Sequence, residues 1–235
     1  MKISTKIFAD GSNIEEIFDQ YENNSLIKGF TTNPTLMRKA GVTNYLDFVK
    51  QVTNKIKDYS ISFEVFADDL EGMEEQALKL SEISDNIWVK IPVTNTKSES
   101  TAPLVKKLTD KGVKVNVTAV FTSEQVDEFY KVINPDTPSI ISIFAGRIAN
   151  AGIDPEPIVA QAVSTCSDKP NIEILWASPR EAFNIVQADR TGCHIITATP
   201  DIIKASSNFG KDLVEYSLDT VKMFYNDAQL SKFTL

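Results

Sequence analysis

Residues 61–92 read ISFEVFADDLEGMEEQALKLSEISDNIWVKIP. In Ile61-Ser62-Phe63-Glu64-Val65 apolar and polar side chains alternate, the period of a strand with one apolar face. From Asp68 to Ser84 the period lengthens: an acidic first turn precedes Leu70, Met73, Ala77 and Leu80 at helical spacing. Alternation then returns in Ile87-Trp88-Val89-Lys90-Ile91. Strand, helix and strand in this order make a βαβ unit, and its strands run parallel.

The same alternation extends in both directions. Strands are expected at Lys6–Asp10, Gly29–Asn33, Ile61–Ala67, Asn86–Pro92, Val113–Val120, Ser139–Ala145, Ile172–Ser178 and His194–Thr199, about 20 to 35 residues apart. Eight repeats close most simply into an α/β fold of the (β/α)8 TIM-barrel type. The rival is a doubly wound open sheet, but no Gly-rich GxGxxG turn follows any strand. A length of 235 residues suits one barrel, and no linker or composition break divides it, so a single domain over residues 1–235 is expected. Beyond Thr199 lie two more helical stretches with Ser206–Gly210 between them. The last, Asp212 to Gln229, is an extra C-terminal helix expected to pack on the barrel or on a neighbouring subunit.

Parity inside the strands places the polar residues. If Ile61, Phe63 and Val65 face the helix layer, Glu64 faces the interior; if Ile87, Val89 and Ile91 face outward, Lys90 faces inward. The same argument sends Asp10, Asn116, Thr118, Ser142 and Phe144 inward, and gives Thr31 and Asn33 a shared parity at the end of the second strand. Trp88 and Trp176 receive interior parity as packing residues. Barrel interiors are normally filled by Val, Ile and Leu, and burying charge there costs several kcal/mol unless it is paired. Polar residues converging from five or six strands therefore point to a site.

An amine in dry surroundings sheds its proton more readily than one in water. The neutral amine attacks a ketone to give an iminium, an electron sink for breaking the adjacent C–C bond. Lys90 suits that role, Asp10 and Glu64 suit proton transfer, and Asn116 with Thr118 suits holding a water and a hydroxyl. Arg147 after the sixth strand and Arg180 after the seventh, with Ser178, suit a phosphate clamp.

A net charge of −8 argues against a nucleic-acid or anionic-membrane surface. No run approaches ~18 apolar residues, so no membrane span is expected. The start MKISTKIFAD turns acidic before any apolar run forms, so no signal peptide is expected. Two cysteines, Cys166 and Cys193, with no CxxC fit a reducing cytoplasm. The one histidine, His194, beside Cys193 reads as structural, so no metal is expected. The acidic run Glu71, Glu74 and Glu75 reads as a solvated helix face.

Five ordered blocks then resemble the small transaldolase and fructose-6-phosphate aldolase family over essentially the full length. They are Gly29-Phe30-Thr31-Thr32-Asn33-Pro34-Thr35, Val89-Lys90-Ile91-Pro92-Val93-Thr94, Asn116-Val117-Thr118-Ala119-Val120-Phe121, Ile143-Phe144-Ala145-Gly146-Arg147-Ile148 and Ala177-Ser178-Pro179-Arg180. The resemblance implies a cofactor-free enzyme of the pentose phosphate pathway in which Lys90 is the Schiff-base nucleophile. Asp10 would exchange the proton of the hydroxyl beside the scissile bond, and Glu64 and Thr118 would position the catalytic water. Asn33, Asn116 and Ser142 would hold a dihydroxyacetone unit, and Arg147, Ser178 and Arg180 the phosphate. Where the aldolase branch carries Gln and Tyr, this chain has Glu64 and Phe144, as in the transaldolase branch. The first strand ends Asp10-Gly11-Ser12 where Asp-Thr is commoner, and Pro179 stands inside Ser-x-Arg.

The implied reaction moves dihydroxyacetone between sugar phosphates: sedoheptulose 7-phosphate and glyceraldehyde 3-phosphate give erythrose 4-phosphate and fructose 6-phosphate. The alternatives are an aldolase that releases free dihydroxyacetone and a non-catalytic sugar-phosphate-binding barrel. By analogy a homo-oligomer, a pentamer or decamer, is implied.

Overall fold

The computed structural model describes residues 3–231, so residues 1–2 and 232–235 of the expected domain span lie outside the described residues. Eight parallel strands close in sequence order, with β8 pairing back to β1. They are β1 (Lys6–Asp10), β2 (Ile27–Thr31), β3 (Ser60–Glu64), β4 (Ile87–Pro92), β5 (Val115–Val120), β6 (Ser139–Ile143), β7 (Ile172–Trp176) and β8 (Ile195–Ala198). Around them run α1 (Ile14–Asn23), α2 (Pro34–Lys39), α3 (Tyr45–Lys55), α4 (Leu70–Ser81), α5 (Ala102–Asp110), α6 (Ser123–Val132), α7 (Ala145–Asn150), α8 (Glu156–Thr165), α9 (Phe183–Arg190) and α10 (Pro200–Ala205). A last helix, α11 (Leu213–Ser231), follows. The chain is a (β/α)8 TIM barrel with an extra C-terminal helix.

Local chemistry sets the boundaries. The helix expected from Asp68 begins at Leu70 because Asp69 caps it, its Oδ1 accepting from Gly72 N at 2.7 Å. Thr122 and Gln125 form a capping box at the start of α6. The second strand runs from Ile27 to Thr31, two residues earlier than expected, because Asn33 caps α2 and Pro34 occupies its first turn. The sixth and seventh strands end at Ile143 and Trp176, so Phe144 and Ser178 lie just past strand ends.

Two apolar layers result. Ile61, Phe63, Ile87, Val89 and Ile91 pack outward against Met73, Ala77 and Leu80 of α4 in one buried cluster. Each such side chain contributes about 1.5–3 kcal/mol. Inside the barrel a smaller cluster of Phe8, Ile140, Leu175, Ala177 and Ile195, with Trp88 against it, makes the floor of the site. A Cβ at Gly29 would lie 2.6 Å from the Phe8 ring, so only glycine lets that ring lie across β2. Trp88 faces inward as expected. Trp176 does not: it shares parity with Ile172 and Ile174 and joins the outer cluster, leaving Leu175 and Ala177 inside.

His194 precedes β8, and its Nδ1 accepts from Ile174 N at 2.9 Å. The acidic face of α4 is not simply solvated, because Glu74 bonds Lys107 and Lys111 at 2.7 and 2.9 Å. Among the described residues α11 contributes no buried side chain, so the first of its two expected packings, on its own barrel, is not what the chain adopts. No helix among the described residues is long and apolar enough to cross a membrane.

Candidate active site

Strand register assembles the polar layer. Glu64 pairs with Lys90 across β3 and β4, Lys90 pairs with Asn116 across β4 and β5, and Asp10 pairs with Thr31 across β1 and β2. Above the apolar floor these residues line a cavity of about 430 Å³. It opens at the C-terminal ends of the strands, the end where TIM barrels carry their sites.

Lys90 is 7% exposed, and its surroundings are more polar than its apolar sequence neighbours suggest. Its Nζ lies 3.0 Å from Glu64 Oε2 and donates to the Thr32 carbonyl at 2.9 Å. Tyr45 on α3 steadies the same strand end by donating to the Glu64 carbonyl at 2.6 Å. Burial raises the Tyr45 hydroxyl above its ordinary range, and the Glu64 charge adds to the effect, so it stays a donor.

Asp10 accepts from Thr31 Oγ1 at 2.8 Å and from Asn33 Nδ2 at 3.4 Å. Burial pushes its carboxyl above the ordinary value of 3.8, although Lys90 and the two hydrogen bonds pull the other way. A carboxyl that takes up a proton readily is suited to general acid–base work. Asn33, though outside β2, still reaches the cavity while its Oδ1 caps α2.

Across the cavity Ser142 Oγ donates to Asn116 Oδ1 at 2.7 Å, and Asn116 Nδ2 donates to Ser62 Oγ at 3.0 Å. Thr118 Oγ1 is buried without a protein partner and lines the same cavity, so a bound polar group is what would satisfy it. Ala119 and Ser178, both on the wall, have left-handed φ values of 60° and 62°. Such strain costs about 1–3 kcal/mol and collects at functional sites.

Arg147 lines the cavity from the first turn of α7 with its guanidinium over the Phe144 ring, 5.3 Å from the centroid. Ser178 lines it too, whereas Arg180 stands outside the lining, exposed at the rim. Asn150 fixes its position. With the amide turned so that Nδ2 donates to Gly146 O at 3.1 Å, Oδ1 accepts from Arg180 Nη2 at 3.1 Å. The opposite orientation, with Arg180 Nε at 3.3 Å, sets two carbonyl oxygens against each other. The cavity thus brings together Asp10, Thr31, Asn33, Glu64, Lys90, Asn116, Thr118, Ser142, Phe144, Arg147 and Ser178, with Arg180 beside it.

Two residues were missed from the sequence. Ser62 carries the signal of its parity with Glu64. Thr197 lines the cavity from β8, and its signal was the outward Ile196 and Ala198 on either side.

Residues 7–235 match the family model described as "Transaldolase/Fructose-6-phosphate aldolase". A "Probable transaldolase" of Thermoanaerobacter sp. (strain X514) is 35% identical over 195 residues, 82% of this chain and 84% of the relative. One from Bartonella tribocorum is 34% identical over 202 residues, 85% and 88% of the two chains. One from Nitrosopumilus maritimus (strain SCM1) is 31% identical over 200 residues, 84% and 85% of the two chains.

Proposed function

This chain belongs to the transaldolase/fructose-6-phosphate aldolase family, and on that premise we propose that it transfers dihydroxyacetone between sugar phosphates through a Schiff base on Lys90. The observation that carries the reading is the buried Lys90 amine meeting Glu64 at 3.0 Å in a cavity that also holds Asp10.

In this reading the free amine of Lys90 adds to the ketone carbon of fructose 6-phosphate or sedoheptulose 7-phosphate. Glu64 takes the ammonium proton and, with a water held at Thr118, hands a proton to the departing hydroxyl, so that water leaves and an iminium remains. The Asp10 carboxylate then removes the proton from the hydroxyl beyond the scissile bond. The C–C bond breaks, its electron pair enters the iminium to give an enamine, and the aldose phosphate departs. An acceptor aldehyde reverses these steps. Asn33, Asn116 and Ser142 hold the hydroxyls of the three-carbon unit, and Arg147, Ser178 and Arg180 the phosphate.

The apolar wall at Phe144 favours transfer over release of free dihydroxyacetone. The enzyme works without a cofactor, in the cytoplasm, as a homo-oligomer in which the exposed apolar residues of α11, Val221, Phe224 and Tyr225 among them, rest on a second copy. Light scattering of the chain truncated after Asp212 tests that part: a mass unchanged from the full chain's would refute it.

Borohydride reduction in the presence of fructose 6-phosphate tests the chemistry. A mass spectrum should place one three-carbon or hexose-phosphate adduct on Lys90, and an unmodified Lys90 would overturn the reading.

A further inference from the structure

Proton accounting around Asp10 leads from β2 to β8. Thr31 Oγ1 makes two short contacts, 2.8 Å to Asp10 Oδ1 and 2.6 Å to Thr197 Oγ1. A hydroxyl has one proton to donate, and a carboxylate has none. When Asp10 is ionised, Thr31 must therefore donate to Asp10, and Thr197 must donate to Thr31. Thr197 is buried, and among the described residues its hydroxyl has no other hydrogen-bond partner, so nothing competes for its proton.

We propose that Thr197 is a positioning residue: by donating to Thr31 it sharpens the Thr31 bond to Asp10 Oδ1, pins that oxygen, and leaves Oδ2 as the atom that exchanges the substrate's proton. The inference rests on the transaldolase reading above and extends it to a strand that the implied catalytic residues do not reach. Oδ2 is the freer oxygen, since its one partner, Asn33 Nδ2, stands at 3.4 Å. Successive hydroxyls polarise one another, so the outer donor strengthens the inner bond. The effect falls on a carboxylate with little water to stabilise it, because burial is the largest influence on Asp10. The groups facing Asp10 are Thr31 from β2, Asn33 from the start of α2, Glu64 from β3, Lys90 from β4 and Thr197 from β8, with Arg147 the other charged group on the cavity wall. None of the others donates to Thr31, so the contribution of Thr197 can be isolated.

The sign follows from which form is stabilised. Donation to the carboxylate favours the ionised, active base, so its loss raises the pH at which Asp10 becomes protonated. In Thr197→Val the acid limb of kcat/KM for fructose 6-phosphate should move to higher pH by roughly half a unit, the scale of one neutral hydrogen bond. Thr197→Ser should restore the limb. Thr31→Val should move it further, and adding Thr197→Val to Thr31→Val should do nothing more, because the relay is already cut. Should the valine variant not fold, Thr197→Ala removes the same hydroxyl without added bulk. An unmoved limb in Thr197→Val, or shifts that add in the double variant, would overturn the relay. Reductive trapping of the wild type separates the two levels: an adduct on Lys90 with an unmoved limb sinks the relay alone, whereas no adduct sinks both.

Discussion

Lys90 and Glu64 are register partners on adjacent strands, and their charged ends meet at 3.0 Å inside the barrel. A buried pair of this kind adds little net stability, but breaking it from one side leaves a stranded charge. The pairing separates catalysis from folding.

Lys90→Met should abolish activity and adduct formation while keeping the barrel. It should also destabilise the chain by on the order of 2 kcal/mol, less than a fully buried pair would cost, because the Glu64 side chain is 21% exposed. Adding Glu64→Gln should recover part of that loss, since the amide carries no charge to strand. Thermal unfolding of the two variants checks this, and a double variant no more stable than Lys90→Met would count against the pairing argument.

Asp10 gives a prediction with a defined pH direction. Its folded-state value lies above the ordinary 3.8, so between those two values the folded protein binds more protons than the unfolded one. Stability contributed by this group is therefore full below the ordinary value and is lost as pH rises through the raised one. Asp10→Asn should remove that loss at neutral pH and raise Tm while activity falls. The gain should vanish below the ordinary carboxylate range. A Tm difference independent of pH would show that Asp10 carries no burial penalty.

Much of the site was legible because strand parity is rigid. Once Ile61 and Phe63 face the helices, Glu64 has no choice of side, and the same holds for Lys90 between Val89 and Ile91. Parity also placed Asn33 and Phe144 on the cavity side, although both stand just past their strands. Ser178 reaches the cavity from the turn after β7 with a left-handed φ, which alternation does not encode. Trp176 was given interior parity, whereas it shares the parity of Ile172 and Ile174 and faces the helices with them. The Asn150 support of Arg180 lay beyond sequence reading altogether, since it joins α7 to the loop after β7.

That loop is held against α7 by the absence of one side chain. A Cβ on Gly146 would fall 1.6 Å from the Ser178 carbonyl oxygen and 3.4 Å from Arg180 Nε. Gly146→Ala should push Ser178 and Arg180 outward and cost about 1–3 kcal/mol through overpacking; under the proposed phosphate role of these residues, it should raise KM for fructose 6-phosphate on the order of tenfold or more. Unphosphorylated fructose, which has no phosphate to place there, should be turned over with little change. Equal loss on both donors would show that the substitution damages the barrel rather than the phosphate end.

Phe144 tests the partition between transfer and release. Its ring lies 5.9 Å from that of Phe121 and beneath the Arg147 guanidinium, and it lines the cavity that holds the Thr118 hydroxyl. With no polar atom on this ring, the wall offers no hydrogen bond to a water approaching the proposed three-carbon intermediate, which in that reading persists until an acceptor aldehyde arrives. Phe144→Tyr adds a donor of the kind that orders such a water. A net hydrogen bond of about 1 kcal/mol corresponds to roughly a fivefold change in partition. The variant should therefore release several times more free dihydroxyacetone per turnover, measured by enzymatic assay of that product with and without erythrose 4-phosphate. An unchanged product ratio would mean that the ring does not govern the fate of the intermediate.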